Sequence, residues 1–227
     1  MIVLTGASGG IGSAILSRLA MLDRVVALYR TKPPSTAESP QIVPYQVNLT
    51  EETSIRRCAA WIRSEFGRIT FVHAAAVSRD GLAAQYNTDD WDHVMAVNLR
   101  AAFLMTRELI PPMIGEKWGR IIYCSSVAAS RGEKGTVAYS ASKAGLAGLS
   151  RVLAHEYGRF GITSNVLTLG YFETGLIEEL PESRKRKIVG EIPSRKLGST
   201  DNVVRAVEYL IESPYTNGAE INVDGGI

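Results

Sequence analysis

Short runs of Val, Ile, Leu and Ala recur along the chain with little polar interruption. Between them, longer stretches return an apolar residue every three or four positions. The short runs fall at residues 2–5, 24–29, 41–47, 69–74, 120–124, 162–169 and 219–223. Strands that are apolar on both sides belong to a sheet covered on both faces. The longer stretches predict helices over 11–22, 51–66, 88–113, 137–160, 172–189 and 200–211. Thr50 is a candidate cap for the second of these, and Thr88-Asp89-Asp90 opens the third with a cap and an acidic first turn. Strand and helix alternate, so the chain predicts an α/β fold: one doubly wound parallel sheet of about seven strands. No linker, repeat or compositional break divides it, so residues 1–227 are expected to form a single domain. One crossover departs from the pattern. Residues 31–40 hold Pro33, Pro34 and Pro40, which oppose a helix, so a loop is expected to replace the second crossover helix.

Composition narrows the function class. The chain has 227 residues, 45% hydrophobic and 21% charged, enough to bury a full core without staples. A net charge of +2 leaves no footprint for nucleic acid. Cys58 and Cys124 sit far apart in apolar settings and read as reduced, buried residues; with His73, His93 and His155 scattered, no metal site is expected. The N-terminus carries no basic leader, and no run of about 18 apolar residues is long enough to span a bilayer. The expected compartment is the cytoplasm.

Two features carry chemistry. Thr5-Gly6-Ala7-Ser8-Gly9-Gly10-Ile11-Gly12 follows the first strand and opens the first helix. In that position Gly6 permits a tight turn, Gly10 lets backbone approach a pyrophosphate, and Gly12 lets helix and strand pack closely; the helix-start amides bind the anion. The second strand ends Tyr29-Arg30-Thr31-Lys32, with no carboxylate for a ribose. Arg30 can pair with a 2′-phosphate, assisted by Thr31 and Lys32, which favours NADP over NAD. The second feature is Ser126 with Tyr139 and Lys143. Tyr139 and Lys143 lie four apart in a helical stretch, on one face. An ammonium beside a phenol favours the phenolate, so Lys143 is expected to lower the Tyr139 pKa and make it a general acid or base. Ser126 can polarise a carbonyl. With nine tyrosines and seven lysines in the chain, one such pair alone could be chance.

These motifs together resemble the short-chain dehydrogenase/reductase family, and within it the 3-oxoacyl-acyl-carrier-protein reductases. The resemblance runs nearly the whole length. It rests on Thr5-Gly6-x-x-x-Gly10-x-Gly12, Arg79-Asp80-Gly81-Leu82, Asn98 in Met95-Ala96-Val97-Asn98 and Ser125-Ser126-Val127. Tyr139-x-x-x-Lys143-Ala144-Gly145 and Ile221-Asn222-Val223-Asp224-Gly225-Gly226 complete it. It implies a Rossmann-type sheet and an NADP(H)-dependent oxidoreductase. Tyr139 would protonate a carbonyl oxygen as hydride arrives. Lys143 would lower the Tyr139 pKa and bond the nicotinamide ribose. Ser126, rather than Ser125, would hold the oxygen, and Asn98 would anchor a relay water to Lys143. The cofactor would lie along Gly6, Ser8, Gly10, Ile11 and Gly12, then Arg30 and Thr31, Asn48 and Leu49, and Ala74 and Ala75. Tyr139, Lys143, Gly170, Phe172 and Thr174 would complete its site, with Thr174 at the carboxamide end. Family members assemble through the long helices, so a homo-oligomer, dimer or tetramer, is implied.

The substrate is less legible. The resemblance implies a 3-oxoacyl thioester on acyl carrier protein or CoA, and a place in fatty acid biosynthesis. A sugar or specialised-metabolite ketone is the alternative, and a non-catalytic NADP-binding regulator the alternative of another class. Residues 171–197 are the expected substrate segment. There Arg184-Lys185-Arg186-Lys187 reads first as a solvated helix face, and second as a dock for an acidic carrier that Lys117, Arg120 and Arg159 could join. Phe160 stands where carrier-dependent relatives tend to be basic. His73-Ala74-Ala75-Ala76 replaces the usual Asn-Asn-Ala-Gly, and Leu169-Gly170 the usual Pro-Gly. His73 reads as a satisfied structural residue, Tyr123 and Tyr157 as packing.

Overall fold

The computed structural model describes residues 1–35, 39–65 and 67–227. The strands are β1 (Ile2–Thr5), β2 (Val25–Tyr29), β3 (Ile42–Gln46), β4 (Ile69–His73), β5 (Gly119–Ser126), β6 (Ile162–Leu169) and β7 (Glu220–Val223). All pair in parallel, in the order β3-β2-β1-β4-β5-β6-β7. The expected seven-stranded, doubly wound sheet is therefore present, and the direction of winding reverses between β1 and β4. Successive strand residues enter opposite cores. Val3, Val26, Leu28, Phe71, Ile121 and Tyr123 join one cluster, while Ile2, Leu4, Val25, Ala27, Val72 and Ile122 join the other.

One face is covered by α2 (Glu52–Glu65), α4 (Ala101–Glu116) and α6 (Val137–Tyr157), the other by α1 (Gly10–Leu22) and α8 (Thr200–Glu212). Among the described residues none is helical between β2 and β3, as the prolines led one to expect; Thr36, Ala37 and Glu38 lie outside those residues, as does Phe66 at the expected end of α2. No helix among the described residues is long and apolar enough to cross a membrane.

Several expectations are corrected. The long helix at 88–113 is α3 (Thr88–Met95), then a π-helical segment (Ala96–Arg100), then α4. Its cap is Asn87, whose Oδ1 accepts the Asp89 N–H at 2.7 Å, and not Thr88. α4 tolerates Pro112 although that residue cannot donate to the Glu108 carbonyl; Arg63 donates there instead, at 3.1 Å. Thr50 does not cap α2: its hydroxyl donates to Asn48 Oδ1 at 2.9 Å. The helix expected over 172–189 is interrupted. A 3-10 turn (Leu176–Glu179) is followed by α7 (Glu182–Glu191), with Pro181 at the α7 N-cap. A proline restrains the residue before it from the helical region, so a continuous helix cannot pass Leu180. A four-residue helix, α5 (Ala128–Arg131), follows β5.

α4 is keyed to the sheet by one buried polar contact: Thr106 Oγ1 lies 2.6 Å from the Tyr123 hydroxyl. Replacing Thr106 by Val leaves that hydroxyl buried without a partner. Thr106→Val is expected to lower the unfolding free energy by about 1–3 kcal/mol. Adding Tyr123→Phe removes the orphaned group, so the double variant should be more stable than Thr106→Val alone in urea melts.

Candidate active site

The site begins where backbone meets backbone. Gly6 has φ of +71°, and a Cβ there would stand 2.7 Å from Ala75 Cα; a Cβ on Gly12 would stand 2.1 Å from the Gly6 carbonyl oxygen. Only glycine lets the β1–α1 corner close this tightly against the chain leaving β4. Thr5 pins the two together. Its Oγ1 accepts the Ala75 N–H at 3.2 Å and lies 3.0 Å from His73 Nδ1. The α1 N-cap is Gly9, which has no side chain to satisfy the first helix amides, so they are left for an anion.

His73 is fully buried, and burial followed by the Lys143 charge pushes its pKa down to about 3. It is neutral and not an acid–base group. The structural reading holds for one ring nitrogen only, since Nε2 has no hydrogen-bond partner among the described residues.

Lys143 is 2% exposed, and its ammonium donates to the Cys124 carbonyl at 2.7 Å. Burial lowers its pKa to about 8. Nζ lies 5.8 Å from the centre of the Tyr139 ring. The expectation that Lys143 draws the Tyr139 phenol toward neutrality is not met in the free protein. Burial raises that phenol above its ordinary value, the Ser126 hydroxyl opposes this, and the Glu133 carboxylate adds to it. Ser126 is thus the serine beside the phenol. Ser125 instead donates to the Lys143 carbonyl at 3.0 Å.

Asn98 lies in the π segment, where a local irregularity re-aims a side chain. Its Oδ1 accepts the Val77 N–H at 2.9 Å, and its Nδ2 donates to the Val77 carbonyl at 2.9 Å and to Ser142 Oγ at 3.0 Å. Ser142 in turn donates to the Tyr139 carbonyl at 2.7 Å. The carboxamide therefore ties the chain after β4 to α6 through these three bonds.

These groups open into one cleft of about 840 Å³, ample for a dinucleotide's reactive end and a small substrate. Gly6, Gly10, Ile11, Gly12, Ala74, Ala75, Ser126, Tyr139, Lys143, Gly170, Phe172 and Thr174 all line it. Ser8, Arg30, Thr31, Asn48, Leu49 and Asn98 do not. Arg30 and Thr31 are exposed where β2 ends, and among the described residues no carboxylate pairs with Arg30. Asn48 is bound to Thr50 and to Glu51 at 2.6 Å, and Leu49 packs on the core.

The Thr174 hydroxyl is bound to the Glu178 carboxylate, which also accepts the Gly175 N–H at 3.0 Å. The turn rests on the glycine corner: a Cβ on Gly10 would lie 2.2 Å from Gly175 Cα. Arg120 belongs to no docking patch. It is 4% exposed and donates to the carbonyls of Ile211, Gly119 and Gly161. Sequence reasoning passed over Glu133, which lines the cleft from the glycine-flanked loop between Ser126 and Tyr139; that position was the available signal.

Comparison with known proteins decides the family. The short chain dehydrogenase model matches residues 1–185. The chain belongs to the short-chain dehydrogenase family. Nodulation protein G of Rhizobium sp. (strain N33) is 35% identical over 233 residues, covering 99% of this chain and 95% of that protein. The 3-oxoacyl-[acyl-carrier-protein] reductase FabG of Escherichia coli (strain K12) is 32% identical, covering 99% of this chain and 96% of the relative. The enzyme of that name from Thermotoga maritima is 31% identical over 236 residues. This short-chain dehydrogenase is thus an oxidoreductase by family, and among its described residues no cluster could hold a metal.

The buried ammonium has a measurable consequence. Lys143 has a folded pKa of about 8 against 10.5 for the free group, so the unfolded chain binds the extra proton between those values and stability rises with pH there. The cost of burying the charge is full below pH 8 and gone above about 10.5. Other groups titrate in this window, so the difference between wild type and Lys143→Met isolates it. That difference should move in favour of wild type by on the order of 3 kcal/mol across the window, read from urea melts at several pH values. A pH-independent difference would show that the ammonium is not buried.

Proposed function

We propose that this short-chain dehydrogenase reduces a ketone to a secondary alcohol with NADPH, and that its substrate is a 3-oxoacyl thioester. The observation that carries the reading is the opening of the Cβ-free glycine corner and of Ser126, Tyr139 and Lys143 into one cleft. Residues 1–227 act as one NADP-binding domain, with 171–197 as its substrate segment.

The glycine corner fits a dinucleotide, because the α1 amides are left unpaired by a glycine N-cap and no Cβ stands in front of them. A bound nicotinamide cofactor supplies the hydride. Gly6, Gly10, Ile11 and Gly12 would hold its phosphates, Ala74 and Ala75 would flank it, and Arg30 with Thr31 would receive a 2′-phosphate. At the other side of the cleft Ser126 donates a hydrogen bond to the ketone oxygen. As the carbonyl carbon becomes tetrahedral, the Tyr139 hydroxyl gives its proton to that oxygen. Burial keeps the phenol protonated at neutral pH, the form a reductase needs. The phenolate left behind is stabilised by the Ser126 hydroxyl, Lys143 would bond the cofactor ribose from the same helix, and Asn98 holds α6 in place through Ser142.

The thioester is favoured by the names of the FabG relatives and by the exposed Arg186 and Lys187 on α7, which suit an acidic carrier. Phe103 on α4 and Val152 on α6 are about half exposed, an apolar surface that suits a homo-oligomer.

Tyr139→Phe should lower kcat with acetoacetyl thioesters by about 10²–10⁴-fold while NADPH still binds, as measured by NADPH oxidation and by titration of cofactor fluorescence. Undiminished turnover in this variant removes Tyr139 from the mechanism. Arg30→Ala should raise the NADPH Kd by about tenfold or more and leave NADH nearly unchanged. An equal loss for both cofactors would sink the 2′-phosphate assignment.

A further inference from the structure

His73 is a buried polar residue that neither the motifs nor the mechanism uses. It closes β4 as Thr5 closes β1, and the two are register partners at the place where the winding of the sheet reverses. Neither reaches solvent. Register partners on adjacent strands send their side chains to the same face, and here they meet: Thr5 Oγ1 lies 3.0 Å from His73 Nδ1. The same oxygen accepts the Ala75 N–H at 3.2 Å. His73 Nε2 has no hydrogen-bond partner among the described residues.

Counting protons decides which ring nitrogen carries one. A neutral imidazole has a single N–H, and a hydroxyl has one proton to give and two lone pairs. With the ring proton on Nδ1, Thr5 Oγ1 would accept from both Nδ1 and Ala75. Its own proton would then have no acceptor among the described residues, and the Nε2 lone pair would be buried alone. With the ring proton on Nε2, the Thr5 hydroxyl donates to Nδ1 and keeps a lone pair for the Ala75 amide. Only Nε2–H is left over. One orphaned buried group costs less than two, so the second arrangement is favoured.

The Ala75 amide matters because of its neighbours. Ala74 and Ala75 line the cleft, and Gly6 packs on Ala75 so closely that a Cβ on Gly6 would stand 2.7 Å from the Ala75 Cα. A small drift of the chain after β4 would open the glycine corner. The Thr5 hydroxyl ties that chain to β1, and His73 sets the direction in which the hydroxyl points.

We propose that His73 is a positioning residue for the cofactor: its bare Nδ1 takes the Thr5 hydroxyl proton, which turns an Oγ1 lone pair to the Ala75 amide and holds the chain leaving β4 against the glycine corner before a dinucleotide arrives. This rests on the dinucleotide binding proposed above. A wall already in its bound position spares the ligand the cost of ordering it.

The test measures the NADPH Kd of the full chain by titration of cofactor fluorescence, with urea melts to show that each variant is folded. Asn keeps an acceptor where Nδ1 stands and lacks Nε2; Leu fills similar space with no acceptor. His73→Asn should bind NADPH within about twofold of wild type, and His73→Leu about tenfold more weakly. With Thr5→Val added there is no hydroxyl to orient, so the Asn and Leu versions should bind alike. The nitrogen-15 spectrum of histidine-labelled wild type near neutral pH gives a second readout, with the His73 signals assigned by their loss in His73→Asn. It should show a protonated Nε2 and a bare Nδ1. The opposite tautomer overturns the inference, as does a His73→Leu variant that binds NADPH like wild type. A Leu-versus-Asn difference that persists in the Thr5→Val background overturns it too, because His73 would then act only through packing. Failure of wild type to bind any nicotinamide cofactor is a separate outcome: it rejects the cofactor reading and this inference with it.

Discussion

A sheet whose strands all run one way, and whose faces are both covered, has only its ends left for polar chemistry. In this chain α2, α4 and α6 cover one face and α1 and α8 the other. Loops that leave the carboxyl ends of β1, β4, β5 and β6 must then share one edge, and the winding reverses between β1 and β4 there. A crevice at that reversal follows from the topology. Its inner wall is backbone against backbone, because Gly6 and Gly12 admit no Cβ. That close fit sets the position of α1, and hence of the unpaired amides at its start, relative to the residues leaving β4.

The polar side chains around this corner are mostly tied to backbone rather than to one another. Lys143 meets the Cys124 carbonyl, Ser125 the Lys143 carbonyl, Asn98 both backbone groups of Val77, and Thr5 the Ala75 amide. Backbone partners cannot change rotamer, so such a network is rigid without the cofactor. Its cost is a buried ammonium, which burial pushes toward deprotonation. The same burial raises the phenol beside it. Spacing alone suggested that Lys143 would pull Tyr139 down, but the desolvation both groups share outweighs an ammonium that faces a carbonyl rather than the phenol oxygen.

The sheet and the meeting of Ser126, Tyr139 and Lys143 in one cleft were legible in the sequence because they are written in local patterns. Continuous Val/Ile/Leu runs mark strands, and Tyr139 and Lys143 sit one helical turn apart. What was not legible depended on which of several partners each group takes in the folded chain. Thr88 and Asn87 are both acceptable caps, and only the Asp89 amide chooses between them. Arg120 looked like a surface cation, yet it is buried and donates to the distant carbonyls of Ile211 and Gly161 as well as to that of its neighbour Gly119. The helix expected across 172–189, a polar stretch, underweighted Pro181, whose effect on its neighbour is local and was readable. Asn98 was found by motif, but its bonding to Val77 depends on a π segment that no periodicity announces.

The cleft has two walls of different kinds. One is built from strand ends and α6, where hydrogen bonds are buried. The other is the stretch from Tyr171 to α7, anchored by an isolated bridge from Phe172 to Gly198 and by a small cluster around Ile177, Ile188 and Ile192. Its polar contacts, Thr174 and Gly175 to Glu178 and Arg184 to Glu133, are exposed, and exposed pairs contribute little to stability. A wall held so weakly can be re-edited residue by residue without unfolding the domain. The motifs recognisable in the sequence all lie on the first, buried wall, and the second wall carries none of them.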